Sequence, residues 1–243
     1  MSDISVSLHS QPTKDPLVSL AGAVGFEHSR ILRMAYGEKY AAVMVEDGGI
    51  GVCATLGTPF RGEPKTLRDP DYARHDHRIV VNAYINACIN GNESFNGEGD
   101  LFDSHPFSIH STIVMIGYFI PLVEKFRQKK IPLKVFDRHH HHPELTAPSE
   151  LDAPLREAEV VILTSTTLAN GTFGEMIERI PPEAAVFMLG PSTPLHSGLF
   201  EYSVIKGLYG MLFNKYDEEV LSIIDGGGGT QSFGRRGKKV SLS

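Results

Sequence analysis

The pattern that most constrains this chain begins at about His110, where short apolar runs without in/out alternation recur between amphipathic segments. Residues 112–116, 133–136, 160–163, 185–189 and 203–208 are the apolar runs, while 121–130, 172–179 and 217–224 carry helical spacing. A strand with one wet face alternates apolar and polar side chains, whereas a strand covered on both faces has no polar side to present. The intervening helices supply the two covers. The pattern therefore predicts a Rossmann-like parallel sheet, which receives ligands in the crevice outside the carboxyl ends of its strands.

The upstream residues follow a different rhythm. Segments 29–36, 40–46 and 50–56 are expected to be short strands, the last two joined by Asp47-Gly48-Gly49, which suits a tight turn with positive φ. Between 72 and 89, Ile79, Val80, Ala83, Tyr84, Ala87 and Cys88 recur at helical spacing before Asn90-Gly91-Asn92 supplies a stop. A meander followed by a helix makes a small α+β unit. Segment 93–106 is rich in Gly, Asn, Asp and Ser, the composition of a linker between packed units. The expected class is α/β in two domains: an antiparallel α+β unit over 1–108 and a Rossmann-like parallel-sheet domain over 109–243.

The residues directly after each apolar run are the candidates for ligand contact. The first run ends in Gly117-Tyr118-Phe119-Ile120-Pro121, where Gly117 permits a tight turn and Pro121 suits the first turn of a helix. The second ends at Asp137, at about the separation from Gly117 where nucleotide-binding folds place the acid for a ribose hydroxyl; a carboxylate capping a turn is the other reading. The third runs into Thr164-Ser165-Thr166-Thr167-Leu168-Ala169-Asn170-Gly171-Thr172, a loop dense in hydrogen-bonding side chains. Thr172 with Glu175 resembles a capping box, which would account for one of them. The fourth ends in Gly190-Pro191-Ser192-Thr193-Pro194, two hydroxyls on a loop stiffened by prolines.

His139-His140-His141-His142 follows Asp137, and imidazoles beside a carboxylate suit a divalent transition metal such as Ni, Zn or Cu. Consecutive residues cannot all turn toward one ion, however, and an exposed loop is the plainer reading. His75, His77, His105 and His110 could contribute only if the fold brings them there. Asn82 and Asn86 lie one helical turn apart and could face a cleft or solvent. The glycine run 226–229 could cradle an anion through its amides, but without a phosphate-loop lysine a flexible crossing is the simpler expectation. No Ser-His-Asp spacing, HExxH motif or nucleophile elbow is present, so no catalytic residue is named.

A formal charge of −6 offers no basic stripe for phosphates, and nucleic acid is not an expected partner. The one dense cationic run, Arg235-Arg236-Gly237-Lys238-Lys239, is expected to be a solvated edge. Two well-separated cysteines give no disulfide framework, and no apolar stretch is long enough to span a bilayer, so a cytoplasmic protein without membrane association is expected. Self-association into a homo-oligomer is left open.

Segments 115–121, 133–137, 160–172 (VVILTSTTLANGT) and 189–195 (LGPSTPL), with the glycine run before a basic tail, resemble the Rossmann-like "putative heavy-metal chelation" family of unknown function. Segment 40–56 (YAAVMVEDGGIGVCATL) and the helix around Asn82-Ala83 resemble the enolase-N-terminal-like domain that precedes it. The resemblance implies a two-domain protein with a cleft between the domains. It carries over the loops 164–172 and 190–194 with Gly117 and Pro121, and the histidine tract is not part of the shared pattern. The leading expectation is a small-ligand-binding protein holding a heavy-metal ion, a metal chelate or an anionic cofactor-like molecule in that cleft. The alternative is an enzyme using a nucleotide or S-adenosylmethionine-type cofactor at the strand ends.

Overall fold

A computed structural model describes residues 15–89, 97–98, 101–140 and 142–243. The chain opens with α1 (Pro16–Val24), the strands β1 (Ile31–Tyr36), β2 (Tyr40–Val45) and β3 (Ile50–Ala54), and α2 (His75–Ile89). After β4 (Gly97–Glu98) and α3 (Leu101–Ser104) come β5 (Ile113–Ile116), α4 (Ile120–Gln128), β6 (Lys134–Phe136), α5 (Asp152–Arg156) and β7 (Val160–Thr164). The remainder is α6 (Thr166–Ala169), α7 (Phe173–Ile177), β8 (Ala185–Leu189), β9 (Ile205–Phe213), α8 (Glu218–Asp225), α9 (Thr230–Phe233) and β10 (Gly237–Leu242). Among the described residues no helix is long and apolar enough to cross a membrane.

β1, β2 and β3 form the expected antiparallel meander. A second sheet has the order β4-β10-β9-β8-β7-β5-β6. Its strands β5, β6, β7, β8 and β9 are parallel and β10 returns antiparallel to β9. Counted along the chain, the parallel strands lie in the doubly wound order 2-1-3-4-5, with the switch point between β5 and β7. Burial of Ile113, Val114, Met115, Val161, Ile162 and Val186 through Met188 shows the sheet covered on both faces, as the lack of alternation predicts.

Two local elements go beyond the expected set. Segment 93–106, with the composition of a linker, contributes β4 to the larger sheet and Leu101 to its core. α1 lies ahead of the segments assigned from sequence, yet its signal is ordinary: Asp15 Oδ1 accepts from Leu17 N at 3.0 Å, and a proline sits in the first turn.

α2 joins the two sheets. Every residue from Asp76 to Ile89 is buried, which a helix achieves only with partners all round. Ile79, Val80, Ala83, Tyr84, Ala87 and Cys88 pack in the core under the meander, whereas Val81, Ile85 and Ile89 enter the core of the larger sheet. The helix backbone lies directly on β3: a Cβ added at Gly51 would fall 2.2 Å from Ala83 O. Arg78, Asn82 and Asn86, spaced four apart, form a polar stripe on the boundary between these apolar faces.

Candidate functional site

At the switch point the crevice is closed. Gly117 has φ 105°, and a Cβ there would lie 2.9 Å from Thr164 Cβ, so the turns after β5 and β7 touch. The hydroxyl-rich loop behind this contact is occupied with itself. Thr164 Oγ1 lies 3.0 Å from Thr166 Oγ1, Thr167 Oγ1 donates to Thr164 O, and Ser165 Oγ donates to Leu189 O. Thr172 donates through both N and Oγ1 to Asn170 Oδ1, at 3.0 and 2.7 Å. That bond replaces the expected capping box: Glu175 pairs with Arg179, and Thr172 caps α7 without a side-chain bond. Gly171, at φ 76°, keeps the backbone close to the Arg78 guanidinium.

The loop 190–194 is a joint between the sheets. Ser192 Oγ accepts from Ala54 N at 2.9 Å, and Ser192 O accepts from Asn82 Nδ2 at 2.9 Å. Thr193 folds back on Gly190 O through its N and Oγ1. Ser192 and Thr193 are 1% and 3% exposed, which makes them internal ties.

The rest of the α2 stripe serves the same joint. Arg78 donates to Leu168 O and Ala169 O at the end of α6, to Tyr72 O, and to both oxygens of Asp15. Asn86 Nδ2 donates to Val52 O, while the Oδ1 atoms of Asn82 and Asn86 are buried without a partner among the described residues. Cys53 beside them is fully buried, and burial pushes its thiol up to about 12, so it is no nucleophile. His75 Nδ1 lies 2.9 Å from Thr58 Oγ1 and its buried Nε2 has no partner among the described residues; burial and the nearby Arg78 charge lower its pKa. His77 stacks on Phe60 and accepts from Asp71 N, and His105 packs against Phe107 and Phe187.

Asp137 has both oxygens engaged. One accepts from Tyr118 N at 2.8 Å; the other accepts from His139 N at 2.7 Å and His140 N at 2.9 Å, with His140 Nδ1 3.0 Å away. Burial works to raise its pKa, but the bonds from His139, His140 and Tyr118 outweigh it and hold the carboxyl below its ordinary value. The turn-capping reading fits this geometry. Of the tract, His139 and His140 are exposed, His142 lies 3.7 Å from Glu144, and His141 falls outside the described residues. Among the described residues no group of three or more His, Cys, Asp or Glu is placed to hold a metal ion.

The open space lies beside the switch point. A cavity of about 470 Å³ runs over the ends of β5 and β8 and along β9, lined by Phe119 and Pro121, by Leu189, Gly190 and Pro191, and by Tyr209, Gly210 and Met211. α3, α4, α9, the turn after it and β10 close its sides with Leu101, Leu122, Lys125, Thr230, Gln231, Arg235, Lys239 and Val240. Its volume is in the range of small-molecule sites, about 300–1,000 Å³. Of the strand-end residues named from sequence, Phe119, Pro121, Gly190 and Pro191 line it, and none of 164–172 does. The basic run is largely solvent-exposed, as expected, and it also reaches the cavity. Arg236 pairs with Asp217 and Glu219, but Arg235 and Lys239 border the cavity. Their sequence signal was the cationic run itself, whose placement depends on β10 returning beside β9.

Among the described residues the cavity lining contains no His, Cys, Asp or Glu, and that donor set does not fit a bare metal ion.

No curated protein matches the sequence. The fold is similar to that of a crystal structure of a DUF364-family protein of unknown function from Pyrococcus horikoshii, at 18% identity and TM-score 0.78, over 93% of this chain and 99% of that one. A second crystal structure from that family, of unknown function and from Desulfitobacterium hafniense DCB-2, aligns at 16% identity and TM-score 0.69, over 96% and 100% of the two chains. The sequence profile of DUF364, described as "Putative heavy-metal chelation", matches residues 100–243. With more than half of its length matched, the chain belongs to the DUF364 family.

Proposed function

We propose that this protein binds a small ligand, a metal chelate or an anionic cofactor-like molecule, in the strand-end cavity beside loop 190–194. The carrying observation is the position of that 470 Å³ space, at the carboxyl ends of β5 and β8 where a doubly wound sheet receives ligands. The family's description supports the chelation part of this reading. The ties through Arg78, Asn82 and Ser192 join the loops at the strand ends to the meander unit.

Native mass spectrometry with elemental analysis of the untagged protein tests this reading, followed by equilibrium titration with a panel of metals, chelates and metabolites. Saturable binding lost on filling the cavity with Gln231→Trp is the expected result. Absence of any saturable ligand would sink it. The nucleotide-enzyme alternative has less support, since both oxygens of Asp137 already hold the backbone. Metal at the histidine tract is a separate reading, favoured by His140, whose Nδ1 lies 3.0 Å from Asp137 Oδ1, an arrangement that leaves its Nε2 as the ligating atom. Retention of nickel binding after His140→Ala with His142→Ala would remove it.

A further inference from the structure

We infer that the strand-end cavity takes an organic anion with an apolar body, and that a metal reaches this site only inside such an anionic complex. The inference rests on the cavity being the ligand site and names the chemical class of what it holds.

Charge carries the first half. In a chain of net charge −6, the cavity lining gathers Lys125, Arg235 and Lys239, and among the described residues it has no carboxylate. This arrangement does not come from ion pairing within the tail. Arg236 is held by Asp217 and Glu219, whereas Arg235 and Lys239 have no ion-pair partner among the described residues. The two residues reach the cavity from different elements, Arg235 from the turn after α9 and Lys239 from β10, with Lys125 across from them on α4. A divalent ion placed beside Arg235 and Lys239 is repelled, and among the described lining residues the only soft donor is the Met211 thioether. An anion is attracted by both, and the guanidinium offers a fork suited to carboxylate, sulfonate or phosphate.

The walls carry the second half. Leu101, Phe119, Leu122, Leu189, Met211 and Val240 present apolar surface, and neutral polar groups are few: Tyr209, Thr230 and Gln231. Inorganic phosphate alone would meet the cations and leave these walls wet. A ligand with a flat or branched apolar body removes them from water, which is the larger favourable contribution for a site of this volume.

The test uses the full chain and two probes of matched body, anilinonaphthalene sulfonate and uncharged N-phenylnaphthylamine, each titrated by fluorescence with zinc chloride as competitor. The expected result is one sulfonate site per chain, at least tenfold tighter than the uncharged probe, and not displaced by zinc. Arg235→Gln with Lys239→Gln, both at exposed positions, should weaken the sulfonate by roughly tenfold, less the solvent screening of exposed charges, with the uncharged probe and the melting temperature unchanged. Gln231→Trp should abolish binding of both probes. Equal affinity for the two probes, or displacement of the sulfonate by zinc, overturns the inference while leaving the cavity as a ligand site. Binding untouched by Gln231→Trp, or no binding of either probe, overturns both.

Discussion

Arg78→Met tests how the two sheets are joined. Arg78 is 6% exposed and its guanidinium serves Leu168 O at 2.5 Å, Ala169 O at 3.0 Å, Tyr72 O at 3.3 Å and the Asp15 carboxylate at 2.5 and 3.1 Å. Methionine preserves the apolar stem, so little transfer energy is lost and the change falls on the hydrogen bonds. Asp15, with its side chain 36% exposed, recovers water, and its share is small. Leu168 and Ala169 are fully buried at the carboxyl end of α6, where carbonyls lack helical partners. Leu168 O retains a weak bond from Gly171 N at 3.4 Å, while Ala169 O relies on the guanidinium. At about 1–3 kcal/mol for each buried acceptor left unpaired, the loss should be about 2–4 kcal/mol. For a chain of this size that lowers the melting temperature by roughly 5–15 °C. Urea and thermal unfolding of the purified full chain measure it, with Asp15→Asn as a comparison expected to cost about 1 kcal/mol or less. If Arg78→Met unfolds within about 1 kcal/mol of the parent, the guanidinium is not the tie described here.

Three further outcomes follow from the same geometry. Gly117→Ala should destabilise by about 2–4 kcal/mol in urea unfolding, because φ 105° is strained for alanine and its methyl would press on Thr164; an unchanged midpoint would contradict a closed switch point. Ser192→Ala should lower stability by about 1–3 kcal/mol by leaving Ala54 N without its acceptor, yet leave ligand affinity intact. Loss of affinity at unchanged stability would return Ser192 to the ligand contacts. Burial opposes ionisation of Asp76, but the bonds from Arg74 and Arg61 prevail and hold it at about 2, below the ordinary 3.8. Its contribution to stability is therefore complete above the ordinary value and is lost as pH falls toward about 2, so melting temperatures of Asp76→Asn should fall less steeply than those of the parent across that window. Identical slopes would refute the assignment.

Periodicity along the chain was enough to find the meander, the α2 helix and the five parallel strands, because those elements depend on which faces are covered, and coverage leaves its mark in neighbouring residues. The turn at Asp47-Gly48-Gly49 was equally local: Gly48 has φ 85° and Asp47 Oδ1 accepts from Gly49 N. The hydroxyls of residues 164–172 and 190–194 were located correctly at strand ends, but their roles were not legible. Whether Thr167 or Ser192 faces a ligand or a carbonyl depends on backbone directions and on what packs behind the loop, here Thr164 O, Ala54 N and Asn82.

The sequence by itself therefore determined the layers of this protein and which residues stand at the carboxyl ends of its strands. Tertiary structure decided the walls of the site. Gly117 against Thr164 closes the crevice at the switch point, and the return of β10 beside β9 brings Arg235 and Lys239 to the end of β8 and across from Lys125 on α4. The physical reason is one of range. A strand's burial is set by its covering layers and shows in its own side chains, whereas a cavity's charge is the sum of residues that only strand order and register bring together.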